Sequence, residues 1–336
     1  MLHKQTSSFP SQISLLATGG TIACTANDET GALEPTVTAD QLVARLPENL
    51  TEKCQFHTVD LGMLDSSALQ LSDLAALVAK IRDSLDRDDI DGIVITHGTD
   101  TIEETAAALA ALAYLEQWSK PVVLTGAMAP ADDAHPDGIA NLALASHSII
   151  AGRVPVATVA IAFAGRLFPA LSTYKKHSTD RVAFASNLPA AARQWQLGND
   201  KPKPDVARTV NCDSQPFVPV VFSYQGADRT FVDAAVNAGA TAIVVAGFGA
   251  GNLPPLMVEA LKEAASKGSE IIVTTRVPEG GVAPIYGGAG GAATLADQGF
   301  VYAGYLPASQ ARMIAVVAAW AGVSTAELIQ QLTQAD

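Results

Sequence analysis

Short apolar runs recur along the chain and are separated by stretches with helical periodicity. Most of these runs are almost continuous in Val, Ile and Leu, which is typical of strands covered on both faces in a parallel sheet. We predict strands at ISLLAT (13–18), HTVDLG (57–62), GIVITH (92–97), PVVLTG (121–126), VATVAIAF (156–163), VPVVFSY (218–224), AIVVAG (242–247) and EIIVTT (270–275).

Two of the intervening stretches have clear helical patterns. LSDLAALVAKIRDSL predicts a helix over 71–85, and LPPLMVEALKEAASKG predicts one within 253–268. The second pattern has prolines near its start and Gly268 just beyond its end, as helices favour. Strands that alternate with helices predict an α/β fold made of open parallel sheets.

Residues 201–217 interrupt this alternation. The segment is polar, contains prolines and has no periodicity, so we predict a linker there. We therefore expect a larger N-terminal domain over 1–200, similar to flavodoxin or Rossmann folds, and a smaller α/β C-terminal domain over 218–336.

The composition narrows the class of protein. The 336 residues carry a formal net charge of −13, and an acidic surface argues against nucleic-acid binding, which needs a basic one. Cys24, Cys54 and Cys212 are too widely spaced for a zinc motif or a disulfide framework, so we expect neither a metal nor another cofactor. The N-terminus lacks the apolar segment of a signal peptide, and TAAALAALAYL is too short to cross a bilayer. We therefore expect a cytoplasmic protein without a membrane partner.

Candidate chemistry follows the predicted strand at 92–97. Thr99 and Asp100 come directly after it, in GIVITHGTDTIEETA. Asp100 and Glu103 have the spacing of a helix capping box, which alone would explain the pair. Ligands of open parallel sheets, however, bind beyond the carboxyl ends of the strands, where Thr99 and Asp100 are predicted to lie. At the level of these residues both interpretations stay open.

A second threonine and a pair of lysines offer matching chemistry. Thr21 follows a strand and two glycines in ISLLATGGTIA, and this pattern fits either an ordinary turn or a ligand site at the same sheet edge. A threonine nucleophile needs a base, and a desolvated lysine can serve as one. Lys175 and Lys176, in STYKKHSTD, are the candidates, although such a pair is usually solvated surface.

Two further loops have weaker signals. TGAMAPADDAHPDG (125–138) follows another strand and is either plain surface or a wall of the same pocket. GFGAGN (247–252) resembles a dinucleotide-binding loop only partly, because Asn252 stands where that spacing requires glycine.

Together these motifs resemble the bacterial-type L-asparaginases, a threonine-dependent asparaginase/glutaminase family. LLATGGTIA and GIVITHGTDTIEETA carry the resemblance most specifically. It extends over nearly the whole chain through LDSS (64–67), VVLTGAM (122–128), KKHSTD (175–180), GFGAGN (247–252) and TTRVPEGG (274–281).

The resemblance implies a function and a set of site residues. The implied reaction is hydrolysis of L-asparagine to L-aspartate and ammonia, with a glutaminase-leaning enzyme or a non-catalytic amino-acid-binding module as the alternatives. The catalytic positions correspond to Thr21, Thr99, Asp100 and Lys175. Thr21 corresponds to the family's nucleophile, while the residues themselves leave either Thr21 or Thr99 as the group that attacks the amide carbon. The substrate-binding positions correspond to Gly20, Asp65, Ser66 and Ala127, the last through its carbonyl.

The resemblance also implies a tetramer built from close dimers, in which a neighbouring subunit completes each site.

The sequence departs from the family pattern at two places. Many members have a tyrosine in the loop after the first threonine, but no tyrosine lies between Cys24 and Leu42. Periplasmic members supply a glutamate from the neighbour beyond the run RVP, and the aligned position here is not a glutamate. In both features the chain resembles the cytoplasmic branch of the family more than the periplasmic one. The candidates for a neighbour's contribution are Asn252 and Tyr286, and Tyr286 either takes over part of the tyrosine's role or only packs at the interface.

Overall fold

The structure is a computed structural model that describes residues 10–188 and 207–333. Its strands are β1 (Ser11–Gly19), β2 (Cys24–Ala26), β3 (Leu33–Pro35), β4 (Cys54–Leu64), β5 (Gly92–Thr96), β6 (Val122–Thr125), β7 (Val159–Phe163), β8 (Arg166–Pro169), β9 (Thr173–Lys175), β10 (Phe184–Ser186), β11 (Val220–Phe222), β12 (Ala242–Gly247), β13 (Glu270–Thr275) and β14 (Val301–Tyr302). Its helices are α1 (Ala39–Ala44), α2 (Glu48–Thr51), α3 (Leu71–Leu85), α4 (Ile102–Glu116), α5 (Gly138–Ile150), α6 (Thr230–Asn237), α7 (Pro255–Ser266), α8 (Ala292–Ala296), α9 (Ala308–Ala321) and α10 (Thr325–Thr333).

The large sheet has the strand order β4–β1–β5–β6–β7–β8. Its first five strands are parallel, and they follow the order 2-1-3-4-5 when they are counted along the chain. This is the flavodoxin-like order, in which the connections change direction between β1 and β5. Ligands of such sheets bind at this switch point, beyond the carboxyl ends of the two strands.

Helices cover both faces of the large sheet. Leu77 of α3 and Leu109 of α4 pack with Ile95 of β5 on one face. Leu42 of α1 and Leu142 of α5 belong to the apolar cluster on the other face. This double coverage explains why the strands are almost continuously apolar in sequence.

The smaller sheet has the order β11–β12–β13–β14, and all its strands are parallel. Helices α6 and α7 pack on one face of it. Helix α9 packs on the other face, and its Ile314 and Val317 share one apolar cluster with Leu109 of α4. The predicted α/β fold with two open parallel sheets is therefore confirmed, and α9 joins the two sheets.

The helix predictions are also confirmed in detail. Helix α3 occupies 71–85, as its periodicity predicts. Helix α7 has Pro254 as its N-cap and Pro255 as its first residue, and Gly268 follows the helix with φ +98°. Among the described helices none combines the length and the apolarity needed to cross a membrane.

The strand predictions need corrections at short elements. The sequence patterns did not indicate the hairpins β2–β3 and β9–β10, or the two-residue strand β14. Strand β8 also escaped prediction and pairs antiparallel with β7, so the large sheet is mixed at this edge. These elements contain two to four residues, which is too short for an alternating pattern to be distinctive.

The predicted domain limits at 1–200 and 218–336 stay predictions. Residues 189–206, which include the start of the expected linker at 201–217, lie outside the described residues, as do 1–9 and 334–336.

Candidate active site

Glycines bring the loops at the carboxyl edge of the large sheet into direct contact. Gly20 has φ +80°, and a Cβ atom there would lie 2.5 Å from the nitrogen of Gly98. A Cβ atom on Gly98 would in turn lie 2.4 Å from Ser66 Oγ. Only glycine permits such close approaches without displacing its neighbours. The loops after β1, β4 and β5 therefore meet at the switch point of the sheet.

The two candidate threonines lie directly after these glycines. Thr21 begins a short 3-10 turn and is half-buried. Thr99 follows Gly98 and is 6% exposed. The sequence places these threonines far apart, and the contact between Gly20 and Gly98 brings their loops together.

Lys175 binds both members of the Thr99–Asp100 pair. Its Nζ donates to Thr99 Oγ1 at 2.9 Å and to Asp100 Oδ1 at 2.7 Å. The lysine side chain is 17% exposed and the aspartate side chain is 61% exposed. The Lys175 nitrogen is thus held against a buried hydroxyl, with the Asp100 carboxylate on the solvent side. Charge-assisted hydrogen bonds of this kind fix orientation more strongly than neutral ones.

The capping-box interpretation of Asp100 and Glu103 is wrong. The N-cap of α4 is Thr101, and no side-chain hydrogen bond caps this helix. Asp100 pairs with Lys175 Nζ, and Glu103 Oε2 accepts from the backbone nitrogen of Lys175 at 2.6 Å. Both acidic side chains are therefore directed to β9 rather than to the end of their own helix.

Asp65 and Ser66 belong to the same cluster of loops. Asp65 is exposed, and its Oδ1 accepts from the backbone nitrogen of Ser67 at 2.9 Å. Ser66 is buried, and its carbonyl accepts from Thr101 Oγ1 at 2.8 Å. This bond attaches the turn after β4 to the start of α4. An exposed carboxylate thus stands beside the threonine loops.

The loop after β6 packs against the loop that carries Thr99. A Cβ atom on Gly126 would lie 2.4 Å from the carbonyl oxygen of His97 and 3.5 Å from Thr99 Cγ2. Ala127, the predicted substrate-binding position, is 1% exposed. The carboxylate of Asp137 accepts from the backbone nitrogens of residues 128 and 129, which folds the loop back on itself.

The same loop is attached to the hairpin β2–β3. Asp132 Oδ2 accepts from the backbone nitrogen of Ala26 at 2.8 Å, and Ala131 donates its backbone N–H to the carbonyl of Cys24 at 2.8 Å. The hairpin begins three residues after Thr21. These bonds favour the interpretation that the loop 125–138 is a wall of the site.

The two adjacent lysines lie in different environments. Lys175 points to Thr99 and Asp100, whereas Lys176 is exposed to solvent. Lys175 is the last residue of β9 and Lys176 lies just beyond it, so the two side chains have different surroundings. Among the described residues no group of three or more His, Cys, Asp or Glu side chains could hold a metal ion.

The structure places Asn252 and Tyr286 on the C-terminal domain, close to the start of α8. Asn252 Oδ1 accepts from the backbone nitrogen of Ala292 at 3.3 Å. The carbonyl of Tyr286 accepts from the backbone nitrogen of Ala293 at 2.9 Å, and Tyr286 is 57% exposed. Their predicted contribution to a neighbouring subunit's site stays a prediction.

Sequence reasoning missed the residues that support Lys175. Glu103 was visible only as part of a capping pattern, and nothing in the local sequence marks Ser309 or Gln310. These two residues bond to Glu103 across separations of 206 and 207 residues. Such contacts have no local signal, because they depend on how α9 packs against α4.

Comparison with protein families agrees with this geometry. The family model described as asparaginase, N-terminal, matches residues 12–201. The model described as glutaminase/asparaginase C-terminal domain matches residues 217–332. The chain belongs to the asparaginase family. The resemblance carried by the two threonine motifs is thereby confirmed.

Individual asparaginases resemble the chain over most of its length. A probable L-asparaginase of Deinococcus radiodurans is 30% identical, and the alignment covers 96% of this chain and 97% of the relative. A glutaminase-asparaginase of Pseudomonas aeruginosa is 32% identical over 81% of this chain and 77% of the relative. The crystal structure of a probable cytoplasmic L-asparaginase from Campylobacter jejuni is similar with a TM-score of 0.80 and 28% identity, over 97% of this chain and 100% of the other.

Proposed function

We propose that this protein is a cytoplasmic amidohydrolase that converts L-asparagine and water to L-aspartate and ammonia, with threonine as its nucleophile. One observation carries the proposal above all others. Lys175 Nζ lies within hydrogen-bond distance of both Thr99 Oγ1 and Asp100 Oδ1, at the sheet edge where the Thr21 loop also lies. A nucleophile, a base and a group that orients the base are the components of covalent amide hydrolysis. We assign these tasks to Thr21, Lys175 and Asp100, with Thr99 between the nucleophile and the base.

In the proposed reaction Thr21 Oγ attacks the side-chain amide carbon of asparagine. Thr21 is the better nucleophile of the two threonines because Thr99 is more buried and its hydroxyl oxygen already accepts from Lys175. In this step the Thr99 hydroxyl turns to donate to the amine of Lys175. The proton that Thr21 loses passes through Thr99 to this amine and from there to the leaving nitrogen, and Asp100 orients the amine. The C–N bond breaks and ammonia leaves. Water then hydrolyses the acyl ester on Thr21 and releases aspartate.

The neighbouring loops supply groups that suit the rest of the substrate. The exposed carboxylate of Asp65 suits the α-amino group, and Ser66 suits the α-carboxylate. The carbonyl of Ala127 suits the N–H₂ of the side-chain amide. Backbone N–H groups beside Gly20 would stabilise the oxyanion that forms when the carbonyl is attacked.

A glutaminase-leaning activity is the second candidate. The relative from Pseudomonas aeruginosa is named a glutaminase-asparaginase, and the two amides differ by one methylene. A hydrophobic pocket distinguishes one methylene by only about 10–200-fold, so both amides are expected to react to some extent.

The purified protein should release ammonia from L-asparagine faster than from L-glutamine, without added metal or nucleotide. Thr21→Ala and Thr99→Val should each reduce this activity by at least ~10²-fold in a protein that stays folded. Mass spectrometry of acid-quenched enzyme should find the aspartyl ester on the peptide that contains Thr21. Absence of ammonia release from both amides, or activity that a chelator abolishes, would contradict the proposal.

A further inference from the structure

We propose that Glu103, together with Ser309 and Gln310 of the C-terminal domain, positions Lys175 for catalysis. These residues form a polar clamp between α4, α9 and β9, in which Gln310 is buried and Glu103 and Ser309 are half-buried. The inference rests on the proposed function, because it assigns a task to groups that act through Lys175. None of the three is proposed to touch the substrate.

Glu103 connects the two halves of the Thr–Lys–Asp arrangement. Its Oε2 accepts from the backbone nitrogen of Lys175 at 2.6 Å, and its Oε1 accepts from Ser309 Oγ at 2.9 Å. Glu103 lies in the first turn of the helix that follows Thr99 and Asp100. The carboxylate therefore fixes the backbone of the lysine relative to the residues that its side chain binds.

Gln310 holds the turn that leads into β9. Its side chain is 0% exposed, and its Oε1 accepts from the backbone nitrogen of Ser172 at 2.6 Å. Its Nε2 donates to the carbonyls of Ala170 at 3.0 Å and Thr173 at 2.8 Å, and more weakly to that of Glu103 at 3.3 Å. Ser172 has φ +66°, a conformation that non-glycine residues adopt only when their surroundings impose it.

The segment 170–176, the arm that carries Lys175, takes part in a very small sheet. Strand β9 has three residues, and within the described residues it pairs only with the three-residue strand β10. A two-stranded hairpin alone is marginally stable in water, and this one is also held by Phe184 of β10 in the apolar core and by the bond from Thr173 Oγ1 to the carbonyl of Pro169. The side-chain bonds from Glu103 and Gln310 add to this support and attach the arm to α4 and α9. A misplacement of about 1 Å from a distant change can cost ~10² in rate.

Glu104 provides a matched control on the same helix. Burial raises the pKa of both Glu103 and Glu104 above the ordinary value, so both are acids in a similar environment. Both also face α9, where Glu104 lies 3.7 Å from Arg312 Nη1. Glu103 accepts from the backbone nitrogen of Lys175, whereas Glu104 pairs with Arg312 of α9 and not with the arm that carries Lys175. If a substitution lowers kcat only because it damages the contact between α4 and α9, then removal of Glu103 and removal of Glu104 should lower kcat alike.

The first experiment compares Glu103→Ala with Glu104→Ala. We expect Glu103→Ala to reduce kcat for L-asparagine by ~10²-fold, with KM changed less than about threefold, because the chemistry and not the substrate contact is disturbed. Glu103→Gln keeps an acceptor for the backbone N–H of Lys175, so its kcat should fall by less than about tenfold. Glu104→Ala should keep kcat within about threefold of wild type. If the two alanine variants lose kcat equally, Glu103 is only a structural residue.

The second experiment uses Lys175→Met as the background. If Glu103 acts through Lys175, adding Glu103→Ala to Lys175→Met should not lower the residual rate further, because coupled residues are not additive. Full additivity of the two losses would overturn the proposal. Ser309→Ala, a milder change, replaces Glu103→Ala if the latter does not fold, and it should reduce kcat by ~10-fold with the same dependence on Lys175. An inactive wild type would instead refute the proposed function itself.

Discussion

Lys175 and Lys176 are neighbours in sequence but differ in their surroundings. Lys175→Met removes the amine that binds Thr99 and Asp100, whereas Lys176→Met changes an exposed side chain. We expect the first change to lower kcat by ~10²–10⁴-fold, as for the loss of a positioned acid–base group, and the second to leave it within about twofold. Steady-state ammonia release measures both. Equal, small losses would mean that Lys175 takes no part in the chemistry.

His97 is a buried neutral histidine beneath the candidate site. Its Nδ1 donates to the carbonyl of Gly98 at 2.7 Å, and its Nε2 accepts from Thr105 Oγ1 at 2.9 Å. Burial lowers the pKa of His97, opposed by the bond to Gly98. The unfolded chain therefore binds a proton at this residue more readily than the folded protein does. Stability from His97 is complete above the unfolded pKa, about 6.5, and declines as the pH falls below it.

We expect the free energy of unfolding to decrease between about pH 6.5 and pH 5, by at most ~1.4 kcal/mol per pH unit from this group. Denaturant titrations of wild type and His97→Gln at several pH values measure it. The half-buried acids Glu103 and Glu104 have a raised pKa and give the opposite trend, but they are present in both proteins and their contribution cancels in the comparison. Identical pH slopes for the two proteins would contradict the assignment.

At the scale of residues, the sequence predicted which residues belong to the candidate site but not which groups their side chains bind. The motifs identified Thr99, Asp100 and Lys175, which the structure brings together. The spacing of Asp100 and Glu103 indicated a helix cap, yet both carboxylates bond to the lysine arm. A carboxylate at a helix start can serve either purpose, and tertiary packing decides which.

At the scale of elements, the long apolar strands and the helices with clear periodicity were predictable. Strands β5, β12 and β13 agree with their predicted runs within one residue. The short hairpin strands that carry Lys175 and border Thr21 were not predictable. Their conformation depends on distant partners, such as Gln310 for the turn before β9 and Asp132 for β2.

The loop after β1 depends on a glycine for a reason that a substitution can test. In Gly20→Ala the new Cβ atom would lie 2.5 Å from Gly98, at a φ of +80°. Gly31→Ala, in the hairpin β2–β3, meets a similar φ of +69° but has no atom within 4 Å of the new Cβ. Both variants incur left-handed strain of about 1–2 kcal/mol, and Gly20→Ala adds roughly 1–3 kcal/mol of overpacking.

We therefore expect Gly20→Ala to be less stable than Gly31→Ala by roughly 1–3 kcal/mol and to lose at least ~10²-fold in kcat, since Thr21 must shift. Gly31→Ala should keep most of its activity. Chemical denaturation and ammonia release test both variants. Full activity of Gly20→Ala would show that the contact with Gly98 does not set the position of Thr21.

At the scale of the whole molecule, the paired sheets and their common helix α9 explain why the C-terminal domain bears on a site built by the N-terminal one. Gln310 and Ser309 reach Glu103 from α9, and the apolar cluster around Ile314 continues into α4. The sequence predicted both domains but not this contact. Interfaces between domains have no periodic signal of their own, because they use residues already assigned to each core.

The assembly is a further expectation at this scale. We expect a homotetramer, or at least a homodimer, in which the C-terminal domain of one subunit faces the site of its neighbour. Ile285 and Tyr286 are 65% and 57% exposed, and large apolar side chains exposed together often mark a protein interface. Many asparaginases pair a tyrosine of this loop with the first threonine, but no tyrosine lies in the hairpin segment beside Thr21. A tyrosine from a neighbouring subunit would supply the missing phenol.

Mixed oligomers test this arrangement directly. Thr21→Ala and Tyr286→Ala should each be nearly inactive alone if Tyr286 completes the neighbour's site. In a mixed dimer one site combines both changes, while the other combines the native Thr21 of one subunit with the native Tyr286 of its partner. Unfolding and refolding an equal mixture should therefore restore about a quarter of wild-type activity, because about half of the dimers are mixed and each has one intact site. Light scattering should give the oligomeric mass before and after mixing. An active monomer, or an inactive mixture, would rule out a site shared between subunits.

Tyr286→Phe separates the role of the hydroxyl from that of the ring. A loss of ~10²-fold in turnover would mean that the hydroxyl acts in acid–base chemistry or orients another group. Unchanged turnover would mean that the ring only packs at the interface.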